Sequence, residues 1–176
     1  MISDKEFLET EIKMGVSLDN PQFVELGRAT AAQMGEYTDI HTVLDYGAGV
    51  GAYSDGFHKE GFQVYAYEHF EAHRNYIRQR LPHIDLVNAP LTTDLLAWIE
   101  TAEHMTDKEI DTLLKTIDPR YILFSSTSER TENDEAWGHI NIKTQEEWLK
   151  LMDRYGYRML KEMPLPTSWT KLFVRE

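Results

Sequence analysis

A chain of 176 residues is 41% hydrophobic, holds no cysteine and carries a net charge of −12 from 30 acids and 18 bases. The length suits one domain of common size, and the absence of cysteine excludes disulfides, thiolate metal sites and cysteine nucleophiles. The negative field disfavours nucleic acid and anionic membrane surfaces as partners. No apolar run approaches membrane-spanning length. The opening MISDKEFLETEIKMG lacks the basic start and apolar core of a secretory signal. A soluble, cytoplasmic protein is therefore expected.

In chain order, Ser3-Asp4-Lys5-Glu6 matches a capping box, and Phe7, Leu8 and Ile12 follow at helical spacing until Gly15. Asn20-Pro21 is a cap with proline at the first helical position, opening a second helix that ends at Gly35. Gly27 sits awkwardly inside that pattern. From residue 42 the rhythm changes. Thr42–Tyr46 reads as a buried strand, followed by a glycine loop and a helix over 50–59. Gln63–Tyr67 is a second strand, followed by a helix over 71–80 whose RNYIRQR segment reads as a solvated basic face. Residues 84–87 and 94–99 give a third and a fourth strand. Thr106-Asp107-Lys108-Glu109 is another capping box, and Tyr121–Ser125 is the strongest strand signal. Residues 126–138 (STSERTENDEAWG) form a loop too polar to pack, expected to be a mobile lid with Trp137 as its anchor. A helix over 145–155 and two strands over 158–163 and 171–174 close the chain.

Alternating strands and helices imply an α/β fold, a parallel sheet wound on both faces. The last two strands have no helix between them, so they pair as a hairpin and leave one edge antiparallel. Residues 1–40 read as an N-terminal helical cap and 41–176 as the main domain of a single structural unit.

The stretch VLDYGAGVG, residues 43–51, carries the chemistry. Three glycines after a strand let a ligand approach the backbone and leave helix amides facing it. Gly47, Gly49 and Ala52 fit the alanine version of the dinucleotide pattern G-x-G-x-x-[GA]. Asp45, Gly47, Gly49 and Gly51 fit the D-x-G-x-G-x-G of S-adenosylmethionine sites in full. The aspartate favours the second cofactor, because a carboxylate there repels pyrophosphate and attracts a charged amino group. Glu68, directly after the second strand, is placed to accept both hydrogens of a ribose diol, and reads otherwise as a helix cap.

These segments resemble motifs I and II of class I S-adenosylmethionine-dependent methyltransferases, in VLDYGAGVGAY and VYAYEHF. Glu100-Thr101-Ala102-Glu103-His104 resembles the E-x-x-E-H pattern of that superfamily. Gly138-His139-Ile140-Asn141, Glu147-Trp148 and Gly156-Tyr157 resemble the closing pattern of its small bacterial and phage-type members. The resemblance spans residues 42–176. It implies a three-layer Rossmann-like sheet of about seven strands with the last antiparallel. It also implies S-adenosyl-L-methionine as cofactor, held by Asp45, Gly47, Ala48, Gly49, Gly51 and Glu68. Asn88 and Ala89 would lie at the adenine, with His69 and Phe70 on its other side, although Phe70 reads equally as a packing anchor.

Methyl transfer from a sulfonium is an in-line displacement that needs alignment and exclusion of water, and a base only when the acceptor must lose a proton. His104 is the base candidate, with a capping role as its alternative. Glu100 and Glu103 would meet the cofactor's amino group or orient that base. His139 would bind acceptor or fasten its loop. A metal held by Glu103, His104 and His139 is conceivable, but no ligand spacing supports it, so none is expected. Cytosine C5 chemistry is excluded by the lack of cysteine. The N/D-P-P-Y of amino-methylating DNA enzymes is missing where 99–102 read Ile-Glu-Thr-Ala. The expected activity is methylation of oxygen or nitrogen on a small molecule or glycan. A nucleic-acid or protein methyltransferase, and a non-catalytic module that binds S-adenosylmethionine, are the alternatives; a nicotinamide oxidoreductase is a more distant one.

Overall fold

The computed structural model describes residues 3–176, which fall into two compact units, one ending at Ala89 and one beginning at Pro90. The N-terminal helices lie in the first unit, together with the first three strands.

In the first unit, α1 (Asp4–Lys13) starts from the capping box that Ser3 and Glu6 form. Nothing on α1 is buried, so it is held by side-chain contacts rather than by a core face. Phe7 meets Phe70 edge to face at 5.6 Å, Glu11 bonds the buried His73 at 2.5 Å, and Asp4 accepts from the Ala72 amide at 3.2 Å. That last bond supplies an acceptor at the start of α4 (Glu71–Arg80), whose own cap residue Phe70 has no capping side chain. α2 (Pro21–Ala32) begins with Asn20 accepting from the Gln22 amide.

The puzzling Gly27 is explained by α3 (Ala52–Lys59). A Cβ on Gly27 would lie 2.4 Å from the Ala52 carbonyl oxygen, and one on Gly56 would lie 2.4 Å from that of Gly27. The two helices touch backbone to backbone, and only glycine fits on either side. Gly27→Ala and Gly56→Ala are each expected to destabilise by about 1–3 kcal/mol, because the helices must part. Urea unfolding checks this, with Gly35→Ala, where a Cβ meets nothing within 4 Å, as the neutral control.

β1 (Thr42–Tyr46), β2 (Gln63–Tyr67) and the two-residue β3 (Asp85–Leu86) pair in parallel, Tyr46 opposite Tyr67. In the second unit β4 (Leu95–Ile99) and β5 (Tyr121–Ser125) are parallel and buried along their whole length, with Ile99 opposite Ser125. Near-continuous apolar strands of this kind are covered on both faces. α5 (Asp107–Thr116), a single turn α6 (Asp134–Trp137) and α7 (Gln145–Arg154) complete the helices. β6 (Tyr157–Glu162) and β7 (Lys171–Arg175) close the sheet, and β7 is antiparallel to both β5 and β6. Phe124 centres the core here, with Trp98, Trp148 and Phe173 at 5.2, 5.0 and 6.3 Å. The seven strands run in the order β3-β2-β1-β4-β5-β7-β6. This is the α/β sheet of seven strands with the last antiparallel that the sequence leads one to expect. Among the described residues, no helix is long and apolar enough to cross a membrane.

Candidate functional site

In the first unit the site is the turn from β1 to α3. Gly47, Gly49 and Gly51 all have left-handed φ, at 80°, 57° and 84°. Residues with a Cβ rarely adopt this conformation, so three consecutive alternations of it need glycine. The amides of Gly47 and Ala48 both donate to the Tyr67 carbonyl, at 2.8 and 3.0 Å, which ties the loop to the end of β2. Gly51 is the residue that precedes α3, which is why the helix begins at Ala52 rather than at residue 50. A Cβ on Gly51 would strike Leu81 at 2.8 Å and Ile77 at 3.2 Å, so this third glycine serves packing against α4. A Cβ on Gly49 meets no atom within 4 Å. Of these two glycines, Gly49 is therefore the one bare toward open space.

The two acids divide the support of this loop. Glu68 is buried and takes the Gly49 amide on Oε2 at 2.8 Å and the Phe70 amide on Oε1 at 2.9 Å. It fixes both the glycine loop and the entry to α4, and each oxygen keeps a second lone pair for a hydroxyl. Asp45 is buried at 1% exposure and accepts from Ser54 Oγ at 2.6 Å. It faces α3 and braces the loop from below. Desolvation pushes its carboxyl up to about 6; the Ser54 bond opposes this and the charge of Glu68 adds to it. His69, Phe70, Asn88 and Ala89 are exposed. Asn88 is oriented by Arg74, whose guanidinium also donates to the Val87 and Glu68 carbonyls. Tyr46 and Tyr67, which the sequence reading passed over, stack at 4.8 Å where β1 and β2 end.

Asp45 gives a pH prediction. Its carboxyl titrates higher in the folded chain, about 6 against about 3.9 unfolded, so the folded state holds the extra proton between those values. Its contribution is favourable at low pH and is lost as pH rises through 6. Relative to Asp45→Asn, the wild type should lose on the order of 2 kcal/mol between pH 4.5 and 7.5. Parallel denaturant titrations of the two proteins at both pH values measure it.

In the second unit a different cluster follows β4. Glu100 has φ 46°, the lone positive value outside glycine among the described residues, and strain of this kind gathers at functional sites. Its carboxylate accepts from Ser125 Oγ, from Thr127 Oγ1 at 2.8 Å and from Trp169 Nε1 at 3.0 Å. Glu103 is fully buried and accepts from Ser126 Oγ at 2.9 Å. Desolvation, reinforced by the neighbouring Glu100, holds the Glu103 carboxyl well above the ordinary carboxylate range.

The segment Gly138–Asn141 is hooked onto this turn. The amides of Ile140 and Asn141 donate to the Glu103 carbonyl at 2.9 and 3.0 Å, and Asn141 Nδ2 donates to the Met105 carbonyl at 2.9 Å. These bonds bring His139 beside His104, ring centres 4.9 Å apart. His104 Nδ1 lies 3.2 Å from the Gly138 carbonyl and His139 Nδ1 lies 3.2 Å from Asp134 Oδ1. Glu103, His104 and His139 offer one donor atom each, all within 4.8 Å of one another, a set that could hold a metal ion. The expected lid is thus anchored at its start, because Ser126 and Thr127 supply hydroxyls to the two acids. Those hydroxyls were missed in the sequence, although pairing β4 with β5 in register puts Ser125 beside Ile99 and so beside Glu100.

No family model matches this sequence, and comparison with curated proteins finds no match. Solved structures do match. An amino pentose methyltransferase of Micromonospora echinaspora, with S-adenosylmethionine bound, superposes at a TM-score of 0.65 with 15% identity, covering 85% of this chain and 92% of that one. The magnesium protoporphyrin IX methyltransferase of Synechocystis PCC 6803, with S-adenosylhomocysteine bound, gives 0.63 and 15%, covering 87% and 83%. The mitomycin 7-O-methyltransferase gives 0.64 and 13%, covering 99% of this chain and 61% of that one. The chain has the fold of class I S-adenosylmethionine-dependent methyltransferases.

Proposed function

We propose that this protein is a cytoplasmic methyltransferase that uses S-adenosyl-L-methionine and methylates oxygen or nitrogen of a small molecule or glycan. The observation that carries the reading is the glycine loop: a left-handed Gly49 whose missing Cβ leaves the backbone open, held by a carboxylate at the end of β2. When bound, the cofactor supplies an electrophilic methyl group on sulfur. Gly47 to Gly51 would pass its amino-acid part along the backbone, and Glu68 would accept from its ribose with the lone pairs not used by Gly49 and Phe70. Asn88, Ala89, His69 and Phe70 would border the adenine, Phe70 and His69 offering flat faces. Asp45 acts one step back, by fixing the loop through Ser54. Glu103, His104 and His139 are the groups that would handle the acceptor and its proton, and Glu100 positions the turn that carries them.

The fold relatives named above are methyltransferases of an amino pentose, magnesium protoporphyrin IX and mitomycin, which supports a small acceptor. The net charge of −12 argues against a polynucleotide. The test is release of S-adenosylhomocysteine with panels of hydroxyl, amine and glycan acceptors. Turnover with one of them is expected. Turnover with nucleic acid or protein alone would overturn the acceptor assignment, and cofactor binding with no turnover on any panel would make the chain a non-catalytic module.

A further inference from the structure

We infer that α1 is a clamp on the cofactor site, with Phe7 as the residue that positions Phe70 against the adenine. The inference rests on the cofactor reading above. Its first support is where α1 is held. The helix buries no residue of its own, whereas a helix kept only for stability presents an apolar face to a core. Its anchors are Asp4, which takes the Ala72 amide, Glu11, which takes the Nε2 proton of His73, and Phe7, which packs on Phe70. All three land on residues 70–73, at the entry to α4. Glu68, which holds Gly49 and the Phe70 amide, stands just before them.

The second support is the state of Phe70. A phenyl ring that is 38% exposed turns freely unless its neighbours hold it. Phe7 meets this ring edge to face at 5.6 Å, with the planes 61° apart. His73 lies 5.7 Å from each of the two phenyl rings, and His69 adds a fourth ring 5.4 Å from Phe70. His73 is buried and fixed by Glu11, so both phenyl rings rest on a group that stays in place. Phe70 is thereby held in one orientation, with its exposed part left for a flat ligand. Ordering a ring before the ligand arrives removes that ordering cost from binding.

The third support is the tether. The chain turns after α1 at Gly15, φ 90°, and is then pinned farther along α4. The Leu18 amide donates to Tyr76 Oη at 3.3 Å, and Arg80 pairs with Asp19 at 2.6 Å. Release of α1 from residues 70–73 leaves this base attached, so the helix redocks as an intramolecular event. Such a clamp works in both directions. If docked α1 tightens the cofactor, the cofactor must tighten α1 by the same factor.

The test is calorimetry with S-adenosylhomocysteine on the full chain as wild type, Phe7→Ala, Phe70→Ala and the double variant. Phe7→Ala should weaken binding about fivefold, the scale of one lost aromatic pair. In the Phe70→Ala background the same change should cost less than about twofold, because Phe7 acts through that ring. Phe7→Tyr should restore wild-type affinity. Glu11→Ala frees α1 without altering either phenyl ring and should also weaken binding. The second readout is hydrogen exchange of the α1 amides over residues 8–13. Saturating S-adenosylhomocysteine should slow it about fivefold, as reciprocity requires. An α1 that serves stability alone would lower the melting temperature of Phe7→Ala and leave both readouts unmoved. Unchanged affinity in Phe7→Ala, an equal loss in the Phe70→Ala background, or exchange in α1 that ignores the ligand would overturn the inference. A wild type that binds no S-adenosylhomocysteine would overturn the cofactor reading itself, whereas binding that Phe7→Ala leaves intact overturns the clamp alone.

Discussion

Gly49→Val is expected to abolish S-adenosylmethionine binding in a chain that still folds. The substitution places a β-branched side chain at φ 57°, which costs on the order of 1–2 kcal/mol in the left-handed region. The added Cβ meets no atom of the described residues within 4 Å. The backbone term is therefore the main stability cost expected, while the side chain fills the space along which the cofactor must lie. Affinity should fall by at least 100-fold, measured by calorimetry, with a cooperative thermal transition retained. Gly51→Val makes an instructive contrast. Its side chain runs into Leu81 and Ile77, so binding should be lost through damage to the packing of the loop on α4, with a clearly lower melting temperature. Retained affinity in Gly49→Val would show that the loop is structural.

Glu68→Ala should act on both the loop and the cofactor. It removes the acceptor for two backbone amides, Gly49 at 2.8 Å and Phe70 at 2.9 Å, in a buried position. Losing charged acceptors at such amides costs roughly 1–3 kcal/mol each where they stay dry, less where water enters. We expect a stability loss of about 2 kcal/mol together with at least a tenfold weaker cofactor. Glu68→Gln keeps one carbonyl acceptor and should fall between the two. Denaturant unfolding and calorimetry on the three proteins separate the effects. If Glu68→Ala loses stability but not affinity, the carboxylate serves only to cap α4 and hold the loop.

The sequence made the strands and the glycine turn legible because both rest on local rules. Apolar runs such as YILFS are strands wherever they are covered, and three alternating glycines require left-handed backbone. The closing hairpin was readable from the missing helix between β6 and β7. Long-range facts were not. Gly27 is a breaker in its own helix and becomes intelligible only when Gly56 is found against it. Asp45 follows the cofactor pattern, yet the structure aims it at Ser54, a direction no spacing encodes. Ser126 and Thr127 looked like the start of a polar lid, and their hydroxyls are spoken for by Glu103 and Glu100 across 23 and 27 positions. The pairing of His104 with His139 depends on backbone bonds to one carbonyl, which leave no trace in residue types.

The central claim is that the turn from β1 to α3 holds a sulfur-containing adenosine cofactor. Isothermal titration of the full chain with S-adenosylmethionine, S-adenosylhomocysteine and NADH tests it most directly. The account predicts one-to-one binding of both sulfur compounds and none of NADH. Binding of NADH alone, or of neither sulfur compound, would contradict it.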